Sequence, residues 1–130
     1  MTSYELIFED RKRYLYVLVS GELNSKTDRE IDARIRSECE KLERKNLLVD
    51  IRQCSSRLSF LQNFVAAKTY RQRMGSYIEA IAIVDSKQHR ENNELFETTA
   101  VNQGARLRFF TSTIDAENWL VGNSEGGKPA

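Results

Sequence analysis

The chain has 130 residues, 40% of them hydrophobic and 30% charged, with 20 basic side chains against 19 acidic ones. That length holds one domain with its own core, and the near-balanced charge excludes a globally basic nucleic-acid coat or an acidic tail protein. No apolar run approaches the ~18 residues of a membrane span, and the opening Met1-Thr2-Ser3-Tyr4-Glu5 lacks the charged-then-apolar layout of a signal segment. A cytoplasmic protein with no nucleic-acid partner and no membrane span is therefore expected.

Tyr4, Leu6 and Phe8 alternate with Glu5, Ile7 and Glu9, the period of a half-exposed strand. After the charged turn at 10–13, residues 14–19 are almost wholly aromatic, aliphatic or β-branched, as in a central strand. The two predict a hairpin, with Gly21 ending the second strand. Thr27 followed three residues later by Glu30 predicts a capping box at the start of a helix. Ile31, Ile35, Cys39 and Leu42 form its buried stripe. Glu30–Arg34, Asp32–Arg36 and Glu40–Arg44 stand acidic-before-basic at i,i+4, the layout of a solvated helix face.

Leu47-Leu48-Val49-Asp50-Ile51 reads as a short buried strand, followed by a polar loop over 52–58. Ser59 with Gln62 predicts the next helix start. Phe60, Leu61, Phe64, Val65 and Ala67 then follow helical spacing up to Met74, and Gly75 is a left-handed stop. A strand is expected over 77–84 and a helix from Asp85-Ser86 to about residue 103, with Leu95, Phe96, Thr99 and Ala100 inward. Leu107-Arg108-Phe109-Phe110 is the last strand. Ser112 with Asp115 caps a final helix carrying Ala116, Trp119 and Leu120. The Gly-, Ser- and Lys-containing segment 122–130 reads as a flexible tail.

The order β-β-α-β-α-β-α-β-α predicts a single layered α/β domain over 1–121. It should have a mainly parallel sheet of about five strands, an antiparallel edge strand and about four helices.

Two cysteines, Cys39 and Cys54, and one histidine, His89, offer no zinc spacing and no catalytic triad. Free thiols, a solvated His89, and no metal or other cofactor are expected. Glycine patterns that cradle phosphates are absent, which argues against a dinucleotide or P-loop enzyme.

In such sheets, sites gather at the carboxyl ends of the strands. Between Ile51 and Ile78 there are five bases (Arg52, Arg57, Lys68, Arg71, Arg73) and no acid. A basic loop feeding a helix N-terminus suits an anionic group. The candidate surface is Asp50, Arg52, Ser55, Ser56, Arg57, Asp85 and Ser86, with Ser59 both a helix cap and a position where added phosphate would bring roughly −2 charge.

The element order, the strand 47–51, the loop into Ser59 and the closing segments Gly104-Ala105-Arg106-Leu107-Arg108-Phe109-Phe110-Thr111-Ser112 and Asp115-Ala116-Glu117-Asn118-Trp119-Leu120 together resemble the STAS superfamily, in particular its SpoIIAA-like, anti-sigma-factor-antagonist-like members. In anti-sigma-factor antagonists a kinase-phosphorylated serine stands nine positions beyond an acidic or amide residue ending a strand, and Asp50 and Ser59 keep that spacing. Leu58 stands where the family has Asp, and Phe60 and Leu61 replace its small residue and Gly. The resemblance implies a non-enzymatic regulatory module that docks a protein, kinase-like or otherwise signalling, through the 52–59 loop and helix 59–74. A second copy of the chain is a further candidate partner. The alternative is a domain binding a small anionic or lipid-like ligand at the strand ends. An enzyme would need Asp50 or Asp85 as a base, marked by a raised carboxyl pKa in a closed pocket.

Overall fold

In the computed structural model, which describes residues 3–124, alternation at the start of the chain yields the expected hairpin. β1 (Tyr4–Asp10) pairs antiparallel with β2 (Leu15–Gly21). Lys12 takes a left-handed conformation in the turn (φ 69°), and its N–H donates to Asp10 Oδ1 at 2.9 Å. Gly21, at φ 102°, has no alternative: a Cβ there would stand 2.2 Å from the Ser3 carbonyl oxygen. The chain continues through α1 (Ser25–Leu42), β3 (Asn46–Cys54), α2 (Phe60–Met74), β4 (Ala80–Val84), a 3-10 turn (Lys87–His89), α3 (Arg90–Asn102), β5 (Leu107–Phe110) and α4 (Thr113–Ser124). Of the expected tail at 122–130, residues 122–124 are helical and 125–130 lie outside the described residues.

The sheet order is β1-β2-β3-β4-β5, with β2 to β5 parallel. Because α1, α2 and α3 are successive crossovers stepping in one direction, right-handedness puts all three on one face. Leu15, Val17, Val19, Leu47, Val49, Ile81 and Ile83 meet Ile31, Ile35, Tyr70, Met74 and Phe96 there. Tyr70, Phe96 and Phe109 stack edge to face, with ring centroids 5.3 and 5.8 Å apart. On the other face α4 packs alone, seating Ala116 and Leu120 on Leu48, Ala80, Ala82 and Val84. The alanines of β4 are what let it approach. No helix among the described residues is long and apolar enough to cross a membrane.

The structure moves several features from where the sequence pattern put them: β3 runs on to Cys54, through the first three residues of the expected 52–58 loop, and β4 starts at Ala80 and not at residue 77. The α1 cap is Asn24, whose Oδ1 accepts from the N–H groups of Lys26 and Thr27 at 3.0 Å each. Thr27 is buried and is the third residue of the helix; its hydroxyl accepts from Asn24 N–H at 2.9 Å and donates to the Glu22 carbonyl. The box therefore sits three residues earlier, with Asn at least as good a cap as Thr. The charge ladder on α1 is largely replaced by tertiary partners: Asp32 pairs with Arg73 of α2, and Arg44 with Asp10 of β1 at 2.7 Å, while Arg36 pairs with Glu40. Lastly, the apolar spacing in α2 does not mark its buried face. Asn63, Ala67, Tyr70 and Met74 are buried, whereas Phe60, Leu61, Phe64 and Val65 are 70%, 69%, 38% and 55% exposed.

Candidate functional site

Alternation along β3 sends Leu47, Val49 and Ile51 toward α1–α3 and Leu48, Asp50 and Arg52 toward α4. Asp50 thus lies in a row that crosses the whole sheet, Ile7–Leu18–Asp50–Val84–Phe110, and is only 3% exposed. Its carboxylate accepts from the Arg52 backbone N–H (3.1 Å), from Arg52 Nε (3.0 Å) and Nη2 (2.7 Å), and from the Tyr16 hydroxyl (3.4 Å). Burial alone would raise the Asp50 carboxyl, but the Arg52 bonds hold it below its ordinary value. Arg52 Nη2 also donates to Thr113 Oγ1 at 3.1 Å, tying the end of β3 to the first residue of α4.

A second carboxylate organises the other side of the loop. Asp85, at the end of β4 and 1% exposed, takes a two-pronged pair from Arg57: Nε to Oδ2 at 3.1 Å and Nη2 to Oδ1 at 2.7 Å. Asn93 Nδ2 and the Ser86 N–H complete its set of donors at 3.0 and 2.7 Å. Arg57 also donates to the carbonyls of Cys54, Ser56 and Ile51, at 2.9, 2.9 and 3.0 Å. All five of its N–H donors are thereby used within the protein. Burial pushes the Asp85 carboxyl up and these donors more than offset it, so it too lies below its ordinary value.

The loop serines divide. Ser56 Oγ accepts from Leu23 N–H (3.1 Å) and donates to Leu23 O (3.2 Å), stapling the loop to the segment before α1. Ser55 anchors by its backbone N–H to Gly21 O at 2.8 Å and leaves its side chain exposed. Ser86 precedes the 3-10 turn and makes no side-chain cap bond. Ser59 is the exposed N-cap of α2: its Oγ accepts from Gln62 N–H at 3.3 Å, and Gln62 Oε1 accepts from Ser59 N–H at 3.1 Å. Behind it, Leu58 is buried, and Asn92 Nδ2 donates to its carbonyl at 3.2 Å while Asn63 Nδ2 donates to Asn92 O at 2.9 Å.

Asp50, Arg52, Ser55, Ser56, Arg57, Asp85 and Ser86 therefore do gather at the strand ends, and Ser59 follows at the start of α2. Their charges are arranged as two internal Arg–carboxylate braces. Neither carboxylate has the raised pKa that a general base near neutrality needs. The thiols are similarly quiet: Cys39 and Cys54 are free and buried, and burial pushes them up to about 12 and about 11. The largely apolar cavity beneath this layer, about 90 Å³, is far below the roughly 300 Å³ at which pockets for drug-sized ligands begin. What the arrangement does is brace, by side-chain bonds, a loop that leads into an exposed serine and, next to it, four exposed apolar side chains. Tyr16, Asn63, Asn92, Asn93 and Thr113 had no local signature in the sequence, because each finds its partner 8 to 61 positions away.

No family model matches the sequence, and no curated protein matches it. Solved structures do. An anti-sigma factor antagonist from Mycobacterium paratuberculosis superposes with a TM-score of 0.61 at 18% identity, over 92% of this chain and 95% of the other. An uncharacterized protein of the DUF3478 family with a SpoIIAA-like fold, from Shewanella loihica PV-4, gives 0.59 at 18% identity over the same shares. The unphosphorylated form of the anti-sigma factor antagonist SpoIIAA gives 0.55 at 14% identity, over 91% of this chain and 97% of that one. The chain has the SpoIIAA-like α/β fold that its sequence pattern resembles.

Proposed function

We propose that the chain is a non-enzymatic regulatory interaction module that docks a protein partner through the 52–59 loop and the outer side of α2. One observation carries the reading. The first two turns of α2 expose Phe60, Leu61, Phe64 and Val65 directly after an exposed Ser59, on a loop fixed by two buried carboxylates. Large apolar side chains grouped this way mark an interaction site. Fully burying each is worth about 1.5–3 kcal/mol, so a partner covering their exposed parts has several kcal/mol to gain. The anti-sigma factor antagonists that share the fold support a regulatory role for the partner contact.

Ser59 is the switch position in this reading. Phosphate there sits favourably at the N-terminus of α2. It also places roughly −2 charge beside Phe60 and Leu61, where a partner would bury them, and so disfavours docking. Affinity capture from native lysate tests this, with wild-type and Ser59→Asp baits compared by quantitative mass spectrometry. A protein retained by wild type and depleted with Ser59→Asp is the expected result. A protein bound equally by both removes the switch, and no enriched protein in either removes the module. The small-ligand alternative has less behind it: Arg52 and Arg57 are engaged by Asp50 and Asp85, and the open pocket of about 350 Å³ at the ends of β4 and β5 is lined by Asp85, Glu94, Glu97 and Asp115 against Arg90 and Arg108, a poor setting for an anion.

A further inference from the structure

β4 and β5 are neighbouring strands whose following helices leave on opposite faces of the sheet. α3 packs in the layer with α1 and α2, and α4 lies alone on the other side. Divergence of that kind opens a crevice at the carboxyl ends of the two strands, where α/β sheets take their ligands. A pocket of about 350 Å³, mainly polar in lining, occupies it. That volume falls within the roughly 300–1,000 Å³ of small-molecule sites. The charges in the lining fall into two groups. Asp85 is answered from outside the pocket by Arg57, and Glu97 Oε1 accepts the Phe109 N–H at 2.7 Å. The remaining four, Arg90 and Glu94 of α3, Arg108 of β5 and Asp115 of α4, are exposed and form no ion pair among the described residues. Arg90 and Glu94 stand one turn apart in the base-before-acid order that pairs less well. The Arg108 guanidinium lies over the Phe110 ring, 5.3 Å from its centroid. Two cations and two carboxylates thus border one pocket without pairing. Ser86, which makes no side-chain cap bond, and Thr111 add hydroxyl groups.

We infer that this crevice binds a small polar zwitterion of the free amino-acid class, its ammonium held by Glu94 and Asp115 and its carboxylate by Arg90 and Arg108. Unpaired charges of both signs select that class. A simple anion meets Glu94, Glu97 and Asp115, and a simple cation leaves both guanidinium groups unanswered. A guanidinium presents the planar donors that a carboxylate accepts best. The hydroxyls of Ser86 and Thr111 suit a ligand body that can itself hydrogen-bond. No residue of 52–74 lines the pocket, so this site and the docking face stand or fall separately.

The test is calorimetric titration of the full chain with L-glutamine, L-glutamine amide and N-acetyl-L-glutamine. On one polar body these present the zwitterion, the cation alone and the anion alone. L-glutamine should bind saturably and at least about tenfold more tightly than either analogue, a difference of about 1.4 kcal/mol, with the preference shrinking as salt is raised. Backbone amide NMR shifts should move at Ser86 and Thr111 and stay fixed over 59–66. The four charged positions are exposed, so their variants should keep the fold, as circular dichroism checks. Glu94→Gln and Asp115→Asn should each weaken L-glutamine by about tenfold and leave N-acetyl-L-glutamine no weaker. Arg90→Gln and Arg108→Gln should weaken L-glutamine equally and leave L-glutamine amide no weaker. Absence of saturable L-glutamine binding, equal binding of the three compounds, shifts located away from the crevice, or indifference to all four variants overturns the inference. Capture of a protein through α2 should be unchanged by the same four variants.

Discussion

Replacing Arg57 with Met removes both prongs from a carboxylate that is 1% exposed. Asp85 keeps only Asn93 Nδ2 and the Ser86 N–H, and the carbonyls of Ile51, Cys54 and Ser56 lose the Arg57 donor. Stranding one partner of a buried ion pair costs about 3–5 kcal/mol, against a total stability of about 5–15 kcal/mol for a domain. At about 3–5 °C per kcal/mol for a chain of this length, Tm should fall by about 10–20 °C. The pH dependence gives the mechanism a signature. With Arg57 present, the Asp85 carboxyl is lowered in the folded state, so its stabilisation is in place above the unfolded value near 3.9 and is lost as pH falls through the lower folded value. Without Arg57, burial raises the same carboxyl, and the variant regains stability as that carboxyl takes up a proton on acidification. Thermal unfolding followed by circular dichroism should therefore show the gap between wild type and Arg57→Met widest at about pH 7 and narrowing toward about pH 4. A loss under about 1 kcal/mol, typical of a surface pair, or a gap that does not change with pH would refute the brace.

Other substitutions separate cap, strain and surface. Ser59→Ala should cost about 1 kcal/mol in urea unfolding by removing the α2 cap, while Ser59→Asp, itself a good cap, should cost almost nothing. Phe60→Asp should leave Tm within the change expected of about ±0.5 kcal/mol, since its side chain is already 70% exposed, yet abolish partner capture. Gly21→Ala should lower stability by more than about 1 kcal/mol, because the new methyl meets backbone at a positive φ; an unchanged urea midpoint would contradict that geometry.

Element order was readable because each segment carries its own period: the alternation of β1, the continuous apolar run of β3, the Ile31–Ile35–Cys39 stripe of α1. Strand order had no such signature, since it depends on which way each crossover steps and not on any local pattern; the observed order then puts α1, α2 and α3 on one face. The capping box at Asn24 was misplaced because Thr27 and Glu30 match the same motif one turn later; the buried hydroxyl bond from Thr27 to Glu22 decides between them. α2 shows the reverse of the usual logic. Its inward residues, Asn63, Ala67, Tyr70 and Met74, are mixed in polarity, because the Asn63 side-chain amide donates a hydrogen bond to the Asn92 carbonyl on α3 and Ala67 is fully buried. Its outward ones are the conspicuous hydrophobes. The strand-end residues lie near one another, but their pairing was invisible in the sequence: Arg57 and Asp85 are 28 positions apart, and only the adjacency of β3 and β4 brings them together.

The central claim is that α2 and the loop before it form the face a partner covers. Hydrogen exchange of the chain, alone and with the partner recovered by wild-type bait, tests it most directly. Protection should rise at the amides of 59–66 and stay unchanged along β1, on the far edge of the sheet. Protection confined to β1 or α4, or none on α2, would contradict the account.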